Sequence, residues 1–143
     1  MKPEMVTLPS SWFKVRPIRR SPKYFAVHVA PTLAALRREM RKHSGGCHSQ
    51  QLAAVHAVTG VDDPHIIGII YFAKSRLGAG IVAHEMVHAA LRTMERIRGP
   101  IVTTPVQSKW ASTHPSEEQL CRMVELLNSA FWYEFYRQER RSA

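Results

Sequence analysis

The chain has 143 residues, 45% of them hydrophobic and 22% charged. That balance suits one globular domain and excludes a disordered tail, a collagen-like repeat and a membrane-spanning bundle. Its unusual property is a net charge of +9, from 20 Lys+Arg against 11 Asp+Glu, which invites a nucleic-acid reading. The surplus is local. Residues 1–50 carry ten basic and two acidic side chains, whereas 51–100 and 101–143 are close to neutral. The two cysteines, Cys47 and Cys121, belong to no paired motif and read as free thiols of a reducing compartment. The N-terminal residues lack the apolar core of a signal peptide. The apolar stretch Ile66–Ala73 falls far short of the roughly 20 residues of a membrane helix. These features predict a cytoplasmic protein with no membrane partner.

Residues 1–23, broken by Pro3, Pro9, Pro17 and Pro22, read as an irregular basic segment with one short strand near Trp12–Val15. Residues 24–75 read as a sheet with one helix. Tyr24–Ala30 alternates as a strand, and Pro31 fits the first position of a helix to about Lys42, striped by Leu33, Leu36 and Met40. Ser44-Gly45-Gly46 stops it. Leu52–Val58 and Ile66–Lys74 are two further strands, joined by a turn over 60–64. Ile66–Lys74 is apolar on both faces at its centre, as a covered strand is. A helix over 81–98 ends at Gly99-Pro100, a Thr/Pro/Ser-rich loop fills 101–114, and a capping box at Ser116-Glu117-Glu118-Gln119 opens a helix over 116–137. The order predicts a single α+β domain over 1–143, with a mixed sheet of three to four strands packed on the 81–98 helix and a long C-terminal helix.

Within the 81–98 helix stands His84-Glu85-Met86-Val87-His88. Residues four apart share a helical face, so two imidazoles can ligate one metal ion while the intervening Glu addresses its bound water. Zinc lowers the pKa of that water to about 7, and a carboxylate beside it can take the proton and pass it to a leaving amine. Two His on an otherwise apolar face would be costly to bury without such a partner. The pattern therefore predicts Zn2+ held by His84 and His88, with Glu85 as catalytic base in peptide hydrolysis. A third protein ligand is required. Glu117 and Glu118 open the last helix: Glu117 lies nearer the apolar stripe of Leu120, Val124, Leu127 and Phe131, and Glu118 heads a second stripe with Cys121, Glu125 and Asn128. Their other use is a favourable charge near a helix N-terminus.

Ile81–Leu91 resembles the active-site helix of the zincin metallopeptidases, and Ser116–Cys121 is similar to the third-ligand helix of their glutamate-type members. More narrowly, the chain resembles the minimal HExxH proteins of phages and mobile elements, akin to the ImmA/IrrE-like group. The resemblance covers residues about 65–130. It implies a zinc metallopeptidase with His84, His88 and Glu118 as ligands, Glu85 activating the water, and a protein or peptide as substrate. It also implies an edge strand that lines the cleft and pairs with bound peptide, for which Ile66–Lys74 is the candidate. The SprT-like group is a rival resemblance. There His114 replaces Glu118 and the substrate is DNA-bound protein, which suits a basic N-terminal third. His114, Tyr71 and Tyr133 are the candidates for an oxyanion partner.

The alternative to an enzyme is a basic nucleic-acid-binding protein in which the HExxH pattern is structural. Lys14, Arg16, Arg19, Arg20 and Lys23 read equally well as a phosphate grip and as a solvated surface. The aromatic run Phe131–Tyr136 reads as packing against the sheet or a partner subunit rather than as base stacking, because its flanking charges are mixed.

Overall fold

The computed structural model describes residues 12–44, 52–57, 63–98 and 115–142. In chain order they form β1 (Phe13–Val15), β2 (Tyr24–Ala30), α1 (Leu33–Ser44), β3 (Ala53–Ala57), β4 (Ile66–Ala73), α2 (Ala79–Arg98) and α3 (Pro115–Ser142). The four strands make one mixed sheet in the order β1-β2-β4-β3, with β2 and β4 parallel and the two outer pairs antiparallel. The fold is α+β.

Alternation along the strands decides which helix covers which face. Phe25 and Val27 of β2, with Ile67, Ile70 and Phe72 of β4, point to the side occupied by α2 and α3. Tyr24 and Ala26, with Ile66, Ile69 and Tyr71, point to the α1 side, where Leu36 and Met40 meet them. Every residue of β4 is buried, because both faces are roofed by helices and both edges are paired. Each large side chain so enclosed contributes about 1.5–3 kcal/mol.

α2 presents Val82, Met86, Ala89, Ala90 and Met94 to the sheet, a stripe at helical spacing in which all five are buried. The Arg96 guanidinium donates to the Ile66 carbonyl at 3.0 Å, pinning the end of α2 to the start of β4. α3 packs along α2 through Met123, Leu127 and Phe131, and Phe131 lies against Phe13 and Phe72.

Three expectations change. Ile66–Lys74 is not an edge strand: β4 lies between β2 and β3, and β3 is the edge on that side. An all-apolar strand is satisfied only where both faces and both edges are covered. α1 begins at Leu33 rather than Pro31. The Thr32 hydroxyl accepts the Ala35 N–H at 3.2 Å and its carbonyl accepts that of Leu36 at 3.0 Å, so Thr32 is the cap. α3 continues to Ser142, five residues beyond the expected end, through good helix formers and with Glu139 paired to Lys74 at 2.8 Å. The predicted 101–114 loop, His114, Cys47 and most of the turn over 60–64 lie outside the described residues. Among the described residues no helix is long and apolar enough to cross a membrane.

Candidate metal centre

The four-residue spacing of His84 and His88 on α2 does what helical geometry requires of it. The rings meet at 4.8 Å between centroids, and their Nε2 atoms converge to 3.2 Å. Two nitrogens bound to one tetrahedral zinc at 2.0–2.1 Å lie about 3.3 Å apart. The separation of the two nitrogens therefore matches that of two adjacent ligand positions on a zinc ion. Both rings are exposed, whereas Glu85 between them is buried, with 7% of its surface exposed.

His84, Glu85 and His88 form one wall of a cleft of about 360 Å³ whose other wall is Ala53, Ala54 and Val55 of β3. An adjoining cleft of about 320 Å³ shares Ala53, His84 and Glu85 and extends past Leu52, Gly80 and Ile81. The two run along β3, whose outer edge is unpaired among the described residues. The small side chain of Ala53, on the α2 side of β3, keeps the wall low beside the histidines. No described residue donates a hydrogen bond to Glu85. Burial pushes its carboxyl above the ordinary value, and the fields of His88 and His84 oppose that shift. A buried carboxyl whose proton is held more firmly than usual, facing an open cleft, is suited to proton transfer.

Arg92, one turn beyond His88, lines the same cleft. It is exposed, and no carboxylate among the described residues pairs with it. Its charge reaches His56 on β3, whose pKa is lowered first by burial and then by Arg92. The cleft end of α2 is therefore cationic. Arg92 belongs to no motif, but the i, i+4, i+8 series His84, His88, Arg92 places it on the ligand face.

The other candidates are not gathered in. Glu118 is exposed on α3 and pairs with Arg122 at 3.3 Å, and Cys121 and Glu125 on the same stripe are exposed too. Glu117 is half-buried. Neither glutamate joins His84 and His88 in a three-membered metal-ligating group, and none exists among the described residues. His114 lies outside those residues. Tyr71 is fully buried on the α1 side of the sheet, and Tyr133 lines a groove beside β1, so neither reaches the cleft.

Comparison with known protein families, with curated proteins and with solved structures finds no match to this chain.

Proposed function

We propose that the chain is a zinc-dependent metallopeptidase. The observation that carries this reading is the convergence of His84 and His88 to 3.2 Å beside a buried carboxylate, in a cleft walled by an edge strand. His84 and His88 would hold the zinc, with Glu118, Glu117 or His114 as the third ligand. Bound zinc supplies Lewis acidity, polarising a peptide carbonyl and making water nucleophilic near neutral pH.

The chain's own residues supply the rest. An extended peptide lies along the outer edge of β3, unpaired among the described residues, as an added strand hydrogen-bonded through its backbone. Its scissile carbonyl is thereby presented to the α2 wall. Glu85 takes a proton from the attacking water as the carbon–oxygen bond forms, then delivers it to the leaving nitrogen as the carbon–nitrogen bond breaks. Arg92 favours a carboxylate on the part of the substrate beyond His88.

Metal analysis of the purified protein tests the reading. About one zinc per chain is expected, lost in His84→Ala and in His88→Ala. A folded wild-type protein that takes up no zinc overturns it. Glu85→Gln keeps the zinc and loses about 10²–10⁴-fold in hydrolysis; full activity in that variant removes Glu85 from its role.

A further inference from the structure

The basic N-terminal segment and the aromatic C-terminal helix, more than a hundred residues apart, meet in one groove. It lies beside β1, at the sheet edge opposite the histidine cleft. Its volume is about 340 Å³, with Lys14, Arg16, Arg19 and Arg20 on one wall and Tyr133 and Glu134 of α3 on the other. Glu134, the acid of this lining, is already matched by Arg137 at 2.8 Å. Lys14 lines the groove at its β1 edge, but its ammonium is turned to the α1 side of the sheet, 4.4 Å above the Tyr24 ring. The groove thus gathers the positive charges of Arg16, Arg19 and Arg20.

Arg20 has φ 66° and is the non-glycine residue with left-handed backbone among those described. The turn that holds it is closed by the Ser21 N–H on the Ile18 carbonyl at 3.2 Å. Glycine adopts that conformation freely and arginine does not. The turn therefore carries a guanidinium where a bare backbone would be cheaper.

The aromatic run divides according to its helical faces. Phe131 is fully buried in the core, whereas Tyr133 is 63% exposed and Tyr136, 56% exposed, stacks on Trp132 one turn along. An open phenol ring beside a row of guanidinium forks is a pairing that single-stranded nucleic acid satisfies. Arginine matches phosphate oxygens two at a time, and an unpaired base offers a face for the ring. A duplex hides its base faces, and an acidic peptide has none to stack.

We propose that this groove binds single-stranded nucleic acid, with backbone phosphates on Arg16, Arg19 and Arg20 and one base stacked on Tyr133. The site is separate from the histidine cleft and does not depend on zinc chemistry.

The test is fluorescence anisotropy of a labelled oligothymidylate of about twelve nucleotides, titrated with the full chain at several salt concentrations. Three phosphate contacts give a slope of log K against log salt of about −2, at about 0.7 per contact. Arg16→Ala, Arg19→Ala and Arg20→Gly each lower that slope by about 0.7. Tyr133→Leu weakens binding about fivefold or more and leaves the slope alone. Arg20→Gly relieves the backbone, so it melts no lower than wild type and loss of binding in it is not unfolding. Arg140→Ala and Arg141→Ala, outside the groove, leave binding unchanged. The proposal is overturned by absence of salt-dependent binding, or by an equal loss in the Arg140 and Arg141 variants. It is also overturned if a hairpin duplex binds as tightly with no dependence on Tyr133, or if polyglutamate of equal charge competes equally well.

Discussion

Gly68 on β4 passes so close to the backbone of His56 on β3 that a Cβ at position 68 would lie 2.6 Å from the His56 carbonyl oxygen. The obstacle is main chain, which cannot swing aside as a side chain can. Gly68→Ala is expected to push β3 outward and to cost about 1–3 kcal/mol. Because β3 is the wall facing Glu85, the same substitution lowers peptide hydrolysis more than zinc binding. Denaturant midpoints and zinc titration measure the two effects. A variant as stable as wild type shows that the close approach relaxes freely.

Zinc affinity in single alanine variants at 114, 117 and 118 identifies the third ligand. Glu118→Ala is expected to weaken it most, by more than about 100-fold. Its pair with Arg122 is exposed on both sides and is worth about 0–1 kcal/mol, too little to withhold the carboxylate from a metal. A competition titration with a chromogenic chelator reads the affinity directly. A larger effect at Glu117 or His114 assigns the ligand there.

Arg92 is expected to bias the cleft toward acidic substrates. In paired peptides differing by one Glu-to-Gln change, Arg92→Ala reduces the preference for the acidic one by about two- to fivefold, the scale of an exposed ion pair. High salt shrinks the wild-type preference in the same way. Equal kcat/KM for both peptides in wild type removes Arg92 from specificity.

Stability is expected to depend on pH through Tyr24 and Asp63. The Tyr24 hydroxyl donates to the Asp63 carboxylate, tying the start of β2 to the turn before β4. Burial first, then the bond to Asp63 and its charge, push the Tyr24 phenol up to about 12. The bonds from Tyr24 and from the His65 N–H hold the Asp63 carboxyl below its usual range. A raised phenol stabilises the fold fully below about pH 10, and that contribution is lost as pH rises from 10 toward 12. A lowered carboxyl contributes above about pH 4, and its share is lost as pH falls through the folded value. Tyr24→Phe should flatten both limbs relative to wild type. Denaturant midpoints from pH 3 to 11.5 measure the difference, and parallel curves for the two proteins refute the linkage.

Much of the architecture was legible because it is local. Tyr24–Ala30 forms its strand with the expected bounds, and Ile66–Ala73 shows on every residue the burial that its apolar centre implies. His84 and His88 meet because helical spacing alone brings them together. The cap of α1 was less legible: Pro31 and Thr32 both suit a helix start, and the Thr32 hydroxyl bond decides between them. The aromatic run at 131–136 was read as packing, which holds for Phe131. For Tyr133 the outcome depends on where β1 lies, and no local pattern encodes that.

The sequence by itself determined the four-residue spacing of two imidazoles around a carboxylate, the α+β order of elements and the concentration of charge before residue 51. These follow from periodicity and composition, which act over a few residues. Only the tertiary structure decided that β3 rather than β4 borders the cleft, that Arg92 enters it, and that Arg16, Arg19 and Arg20 share one groove with Tyr133. Strand order and helix docking are set by which apolar faces bury one another across long stretches of chain. That choice belongs to the packing of the whole molecule and not to any segment of it.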